Sequence, residues 1–560
     1  MAVNIPALVL VIVFYVAIIV VAVLAKKFTK TVEDDSKNKT EMSMVAGRNL
    51  NLAVGIFTMS ATSVGGAYLV GTTEAIASEG VGLVWTVFPF TVLIAFTLGS
   101  LIYAKPMRER GYLTLLDPLQ ERYGDVMTGL LLLGALFAEI LWGASVLIAL
   151  GSCLSIIVDL PLAVSIIVSS VVAWIYTMFG QMVSVAYTDV IQLIFVIVGM
   201  FLCVPFAMTN SNVMDINETS DIWLGSLDAK YASPWVDYVL SQIFGGIAWN
   251  TYFMRILSAR SVRDAQIISV AGGFFTLCLG VPPFLLGVVG VSTNWTATDY
   301  GRDPIAEGNV ASLMPIVIEY LTPTAVSVIA LSAIVAAVMS SMDSVILSSS
   351  SMFTHNIYKM AVRKSATDFE LSVVQRVAMF VVAAISTVLA LTTDTVVGLF
   401  TLTADVVYVV VFPQLTCSVF LPFTNPYGSF VGYVLGVILR FGGGEPTLDL
   451  DPFIKYPFYD EEGGQLFPYK TMAMLCTFIA VILVSILFNF LFQKGYIPEK
   501  YELTGKIKIG INLESYSSSE HESTKAYYNA GGSFKEVDLK AVKFPKTVEE
   551  NDEQNISNYM

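Results

Sequence analysis

The chain has 560 residues, of which 55% are hydrophobic and only 14% are charged, with a formal net charge of −14. Its mean hydropathy of +0.71 excludes an ordinary soluble domain, whose surface could not hide that much apolar area. The acidic balance argues against nucleic-acid binding, and the sequence contains no P-loop, Rossmann fingerprint or nucleophile–base pair. We therefore predict an all-α polytopic membrane protein that is not an enzyme and uses no organic cofactor.

Apolar stretches of about 20 residues, enough to cross a hydrocarbon core of roughly 30 Å, recur along the whole chain. The first lacks a basic start and a small-residue cleavage site, so we interpret it as a span and not as a signal peptide. Residues 495–560 are polar and predict a disordered cytosolic tail. In chain order the thirteen predicted spans lie near 4–26, 48–77, 81–105, 124–158, 160–180, 182–208, 236–258, 263–292, 322–355, 370–393, 394–421, 427–442 and 469–494.

Charged residues divide between loops on alternate sides of these spans. Basic residues are concentrated in the loop after the first span and in later loops near 105–122 and 359–364, whereas the opposite loops are acidic. The positive-inside rule then places the N-terminus outside and the C-terminus in the cytosol. Two sequons, at Asn217 and Asn294, fall outside in this orientation, where glycosylation is predicted.

The second and seventh spans each contain a glycine pair at mid-membrane, Gly65-Gly66 and Gly245-Gly246. Paired glycines weaken a helix by roughly 1 kcal/mol each, although close helix packing is an alternative explanation for either pair alone. The pairs lie five spans apart with inverted topology, which is the pattern of a transporter with two discontinuous helices. We predict a five-plus-five inverted-repeat core. Its repeats cover 48–208 and 236–421, with a first span and cytosolic loop over 1–47 and two additional spans over 427–494.

The ninth span contains the segment AVMSSMDSVILSSSS at residues 337–351. Hydroxyl and carbonyl oxygens are the ligands that a hard cation such as sodium prefers, and a helix break at Gly65 would free the carbonyls of Ala61 and Val64. The alternative is that the serines bond back to their own helix, which is our interpretation for Ser349 and Ser350. The residues that share one face through a 3-4-3-4 spacing are Ala337, Ser340, Ser341, Ser344 and Ser348.

Five carboxylates lie within the predicted spans, where an unpaired charge costs several kcal/mol. No lysine or arginine within a span is obviously matched to them, so they suit a pathway that carries cations. Two of them, at the ends of spans, could equally line water. The five are Glu74, Glu139, Asp189, Asp343 and Asp405, of which Glu74 and Asp405 are the two at span ends.

Several long segments resemble the sodium/solute symporter family and, within it, the high-affinity choline transporter branch. They are SVAYTDVIQLIFV, AVMSSMDSVILSSSSMFTHNIYK, AKPMRERGYLTLLDPLQ, VVYVVVFPQL and GGEP, and the resemblance runs from about residue 8 to residue 495. It implies sodium-coupled, chloride-dependent import of choline by alternating access across the plasma membrane. It also implies a presynaptic or synaptic-vesicle location and a role in neurotransmitter biosynthesis. A homo-oligomer and trafficking partners of the tail stay open.

The resemblance also implies positions for the coupling ions. The family's sodium site uses two adjacent serines of the ninth span, here Ser340 and Ser341, with the carbonyls of Ala337, Ala61 and Val64. A second sodium site of some members, with the aspartate that the choline branch adds, falls on Asp189, Ser344 and Asp343.

The predicted substrate site is aromatic, because a quaternary ammonium is held against aromatic faces by cation–π attraction. Trp142 and Trp249 match tryptophans of the choline branch, although an interfacial belt is the alternative for any membrane tryptophan. At three other positions this chain differs from the branch. Ser63 stands where the branch has a tryptophan, Val92 where it has an aromatic residue, and Phe400 where it has a second tryptophan. Each lost face removes roughly 0.5–2 kcal/mol. A lower-affinity choline carrier, a symporter for a more polar solute, and a non-transporting sensor or channel therefore all stay open.

Overall fold

The computed structural model describes residues 5–13, 16–17, 20–21, 44–178, 182–461 and 463–504. Within these ranges the regular elements are helices, accompanied only by isolated β-bridges. Eight of these helices are long and apolar enough to cross a membrane, or nine if one bent pair counts as a single span. The all-α polytopic architecture is confirmed. The number of thirteen spans stays a prediction, since part of the first span, like the tail beyond residue 504, lies outside the described residues.

The region of the first predicted repeat begins with a broken helix. Asn51 caps its first half by accepting a hydrogen bond from the backbone N–H of Ala53, and the two halves are bent by 46° at the first glycine pair. The elements are α1 (Leu52–Ser63), α2 (Gly66–Ala77), α3 (Phe88–Ile102), α4 (Asp117–Val158), α5 (Leu162–Thr177) and α6 (Met182–Met208).

The region of the second predicted repeat also begins with a helix that is interrupted at its glycine pair. The elements up to the long buried helix are α7 (Ala232–Gly245), α8 (Asn250–Leu257), α9 (Val262–Leu279), α10 (Val281–Val291), α11 (Leu313–Leu321) and α12 (Thr324–Met352). They are followed by α13 (Asp368–Ala390), α14 (Val396–Val406), α15 (Phe412–Phe420), α16 (Pro426–Gly442) and α17 (Tyr469–Gln493). The repeat boundaries themselves stay a prediction.

Helix α12 lies at the centre of the molecule. Every residue from Ala330 to Met352 is buried, and the helix packs against α6, α4 and α1. Small side chains on α12, chiefly alanine and serine, allow these neighbours to approach closely, as is common between membrane helices. The serine-rich segment is therefore an internal surface that faces protein on every side.

Loops of opposite charge lie at opposite ends of the bundle. At one end Arg48 donates from Nη2 to the Gly111 carbonyl at 2.6 Å, which joins two of the basic loops. At the other end the backbone N–H of Asn294 donates to the Asn212 carbonyl at 2.9 Å. Both sequon asparagines, Asn217 and Asn294, are exposed at this second end. The orientation across the membrane stays a prediction.

Candidate substrate and ion sites

A small cavity of about 50 Å³ lies beside the two helix breaks. Its walls are mainly aromatic and aliphatic with a few polar groups, which is typical of a small-molecule site. All five predicted substrate residues line it: Ser63, Val92, Trp142, Trp249 and Phe400. The remaining lining residues are Phe88, Thr91, Ala95, Phe96, Gln242, Gly245, Gly246, Thr403, Ala404 and Val407.

The two predicted tryptophans contact each other at this cavity. The ring centroids of Trp142 and Trp249 lie 4.0 Å apart, with the ring planes at 59°. Phe88 and Phe400 make an edge contact with centroids 5.4 Å apart. Because Trp142 is only 2% exposed and packs inside the bundle, the interfacial-belt alternative does not describe it. With Phe96, five aromatic side chains thus line this one cavity.

Two aromatic residues of the cavity were missed in the sequence. Phe88 and Phe96 lie four residues on either side of Val92, so the three side chains share one face of α3. That spacing around the predicted position could have revealed them. Gln242 and Thr403 carry no such signal, because only the packing of α7 against α14 brings them to the cavity. The Ser63 hydroxyl donates back to the Met59 carbonyl at 2.9 Å.

The serine face of α12 lies against the first helix break. The Ser341 hydroxyl donates to the Thr62 carbonyl at 3.2 Å. A Cβ placed on Gly65 would lie 1.7 Å from Ser341 Oγ and 3.9 Å from the Ala337 carbonyl oxygen, so these oxygens crowd the break itself. The structure thus gathers hydroxyls and carbonyls where the sequence predicts a cation, and it adds the Thr62 carbonyl. Two further predicted ligands, Ala61 and Val64, are buried at the same break.

Ser340, the other predicted sodium serine, is tied to a buried ion pair. Its hydroxyl donates to Asp189 Oδ1 at 2.6 Å, and the Thr58 hydroxyl donates to Oδ2. Arg255 Nη2 lies 3.6 Å from Asp189 Oδ2 and donates to Ser344 Oγ at 2.6 Å. The side chains of Arg255 and Asp189 are completely buried. The expectation that no basic residue within a span matches the carboxylates is therefore wrong, because α8 packs its arginine beside α6.

A second buried ion pair joins the C-terminal helices to the core. Asp405 Oδ2 lies 3.1 Å from Arg440 Nη2 and 2.5 Å from Lys470 Nζ. Arg440 also lies 2.6 Å from Glu445 Oε2. Asp405 does not line water at the end of a span, as one interpretation of the sequence proposed. It is neutralised by cations from α16 and α17.

Two further intramembrane carboxylates are held by other helices. Asp343, which the sequence associates with the second ion site, accepts a hydrogen bond from the Thr177 hydroxyl of α5 at 2.5 Å. Glu74 accepts from the Thr395 hydroxyl at 2.7 Å and from the backbone N–H of Val396 at 3.1 Å. Glu74 therefore caps the N-terminus of α14, where a negative charge is favoured by the helix dipole.

A larger cavity of about 710 Å³ opens at the acidic end of the bundle. It is lined in part by Val397 and Thr401, and the aromatic cavity is lined by Phe400 and Thr403, so both lie along α14. The helices around α14 thus leave one space at the acidic end and a second, smaller one deeper in the bundle.

The basic end is closed by a polar network. Asn356 donates from Nδ2 to Asp117 Oδ1 at 2.8 Å and to Gln120 Oε1 at 3.0 Å, and the Thr114 hydroxyl donates to Asn356 Oδ1 at 2.8 Å. The loop that carries Thr114 is buried, with Leu116 completely inaccessible. This network holds the loop before α4 and the first turn of α4 against the segment that follows α12.

Comparison with known proteins decides the family. A model of the sodium:solute symporter family matches residues 44–436. The chain belongs to this family. It is therefore a multi-pass membrane transporter of a sodium-coupled class and not an enzyme, and the resemblance inferred from its segments is confirmed.

Individual relatives agree with this assignment. High affinity choline transporter 1 of Homo sapiens is 43% identical over 514 residues, covering 90% of this chain and 88% of the relative. High-affinity choline transporter 1 of Drosophila melanogaster is 42% identical over 503 residues, covering 89% and 81%. The solved structure of a Na⁺-coupled sialic acid symporter matches with a TM-score of 0.68 at 15% identity, covering 86% of this chain and 98% of that one. That last similarity shows the fold alone.

Proposed function

We propose that the chain imports choline across the plasma membrane by sodium-coupled alternating access. The observation that carries the proposal is the aromatic cavity beside the two helix breaks, whose described lining residues include no charged side chain. A quaternary ammonium has no N–H to donate, so aromatic faces suit it better than hydrogen-bond acceptors. Relatives named as choline transporters support this substrate. Phe88 and Phe96 offer aromatic surface that Ser63 and Val92 lack.

Sodium binds at the first helix break in this proposal. Its ligands are the hydroxyls of Ser340 and Ser341 and the carbonyls of Ala337, Ala61 and Val64. An ion bridging α12 to the end of α1 stabilises the broken conformation, and the same break supplies Ser63 to the substrate cavity. Binding of sodium therefore favours a formed substrate site. Asp189, Ser344 and Asp343 stay a proposed second site, at which Arg255 already contributes one positive charge.

Alternating access follows from the two ends of the bundle. The larger cavity at the acidic end is the proposed route from outside, and the network around Asn356 is the proposed closure on the cytosolic side. In the proposed cycle that network opens after the outer cavity closes. Dependence on chloride, an outside N-terminus, and glycosylation of Asn217 and Asn294 belong to the same proposal, and no described residue is assigned to chloride.

A second candidate is a symporter for a more polar organic solute. The cavity carries the side chains of Thr91, Gln242 and Thr403 in addition to Ser63. Such groups can hydrogen-bond a substrate that has hydroxyl or amide groups, whereas they offer little to a trimethylammonium head. This alternative keeps the same sodium site and the same mechanism.

The test is uptake of labelled choline into cells that express the chain, with sodium present or replaced by N-methyl-D-glucamine and with chloride present or replaced by gluconate. We expect saturable, sodium-dependent accumulation against a gradient, which a sensor or channel would not produce. Trp142→Ala should raise KM several-fold at equal surface expression, since it removes one aromatic face. Choline uptake by Ser63→Trp but not by the wild type would favour the polar-solute candidate.

A further inference from the structure

A buried carboxylate lies directly behind the substrate cavity. Glu139 is on α4, three residues before Trp142, and is only 1% exposed. Its Oε2 and the indole Nε1 of Trp249 are both buried without a well-formed hydrogen bond to any described residue. The two groups nevertheless lie near each other. An unsatisfied donor on the cavity wall thus faces an unsatisfied acceptor behind it.

The other oxygen of Glu139 is held by a directed chain of donors. The Ser348 hydroxyl donates to Glu139 Oε1 at 2.7 Å, and Asn250 donates from Nδ2 to Ser348 Oγ at 2.9 Å. Asn250 is itself oriented, because its Oδ1 accepts from the backbone N–H of Leu115 at 2.8 Å. Since Asn250 donates to Ser348, the serine proton is free to point at Glu139. The chain therefore occupies Oε1 of Glu139 with a donor and leaves Oε2 without one among the described residues.

From this geometry we infer that Glu139 is a positioning and selectivity residue for a cationic substrate, acting through Trp249. The carboxylate accepts the indole N–H, fixes the orientation of the ring and makes its face more negative. An enriched indole face binds a quaternary ammonium more tightly but does nothing for an uncharged molecule of the same shape. The inference rests on the proposed function, and it also gives a role to Ser348, which lies one turn beyond the predicted sodium ligands.

The test compares choline with 3,3-dimethylbutan-1-ol, which replaces the ammonium nitrogen by carbon and keeps nearly the same shape. Purified full-length wild type and Glu139→Gln are titrated with labelled choline in sodium, and the neutral alcohol is measured as a competitor. We expect Glu139→Gln to weaken choline binding on the order of tenfold. Binding of the neutral alcohol should change by less than about twofold, since that ligand carries no charge.

A double-mutant cycle tests whether the effect passes through the indole. Trp249→Phe keeps a ring but removes the N–H, so adding Glu139→Gln to it should cost less than a further twofold in choline affinity. Glu74→Gln is the matched control, because it neutralises a buried carboxylate that caps α14 instead of facing Trp249. It should leave the ratio of choline to alcohol affinity unchanged.

The outcomes separate this inference from the proposed function. If the wild type takes up choline but Glu139→Gln keeps its affinity ratio, the inference is wrong and the proposed function stands. A wild type that binds choline no better than the alcohol overturns both. If Glu139→Gln fails to fold, as shown by loss of sodium-dependent thermal stabilisation, the choline selectivity of Trp249→Phe is compared with that of Trp142→Phe instead. Equal losses of choline selectivity in these two variants contradict a special role for the indole of Trp249.

Discussion

Individual oxygen atoms decide where the predicted sodium ion can sit. Ser340 and Ser341 are neighbours in sequence, but their hydroxyls have different partners in the structure. Ser341 reaches the backbone of the first helix break, whereas Ser340 donates to the buried carboxylate of Asp189. A hydroxyl that donates to a carboxylate keeps its lone pairs available for a cation. Asp189 thus orients one ligand while Arg255 balances its charge.

At this residue scale, Ser341→Ala should raise the sodium concentration for half-maximal uptake by about tenfold or more. The physical reason is the loss of one oxygen ligand, worth about 1.5–3 kcal/mol for a charged partner, where 1.4 kcal/mol is tenfold. Sodium titration of substrate uptake measures it. Ser349→Ala is the control, because the Ser349 hydroxyl donates to its own helix at Val345. An unchanged sodium requirement in Ser341→Ala would remove this serine from the proposed site.

Broken helices position the site at the scale of secondary structure. Both breaks carry a glycine pair, and in each the first glycine presses against a neighbouring helix. A Cβ on Gly65 would lie 1.7 Å from Ser341 Oγ, and one on Gly245 would lie 2.2 Å from the Ala404 carbonyl oxygen. The glycines are therefore required for close approach as well as for weakening the helix.

We expect Gly65→Ala to abolish uptake or reduce it more than tenfold, since the added methyl displaces Ser341 from the first break and separates the predicted ion ligands. Uptake and surface expression are measured together, so that loss of protein is distinguished from loss of transport. Gly129→Ala is the matched control on α4, where the nearest atom to a new Cβ is 3.8 Å away, an ordinary contact. Near-normal uptake by Gly65→Ala would show that the close approach is unnecessary.

Buried charge pairs hold the parts of the whole molecule together. The pair of Asp189 with Arg255 joins α6 to α8 within the core. The cluster of Asp405 with Arg440 and Lys470 fastens α16 and α17 to α14, close to the aromatic cavity. Removing one member of a buried pair leaves an uncompensated charge, which costs far more than the pair itself contributes.

For the whole molecule, Asp405→Asn should lower the free energy of unfolding by about 3–5 kcal/mol, because Lys470 and Arg440 lose their shared carboxylate. Thermal unfolding of the purified protein in detergent measures the change. Asp449→Asn is the control, since this exposed acid lies on the loop between α16 and α17 and should change stability by less than about 0.5 kcal/mol. A wild-type melting temperature in Asp405→Asn would mean that the cluster does not hold the C-terminal helices.

Much of the architecture was predictable from local patterns. Apolar length identified the membrane helices, and the glycine pairs identified both interruptions, because bilayer thickness and helix propensity act on contiguous residues. The spacing of serines in α12 and the two tryptophans marked residues that the structure places beside those interruptions. The positions of Phe88 and Phe96 were within reach of the same reasoning, through their spacing around Val92.

Contacts between distant segments were decided only by tertiary structure. The sequence does not indicate that Arg255 pairs with Asp189 or that Lys470 pairs with Asp405, because each partner lies on a helix many residues away. The same holds for Glu139, whose place behind Trp249 depends on how α4 packs against the second break. Composition and apolar length determined that this chain is a polytopic helical membrane protein, and the glycine pairs predicted its two broken helices. Packing alone determined which buried charges neutralise each other, because a charge in hydrocarbon must find its partner in three dimensions.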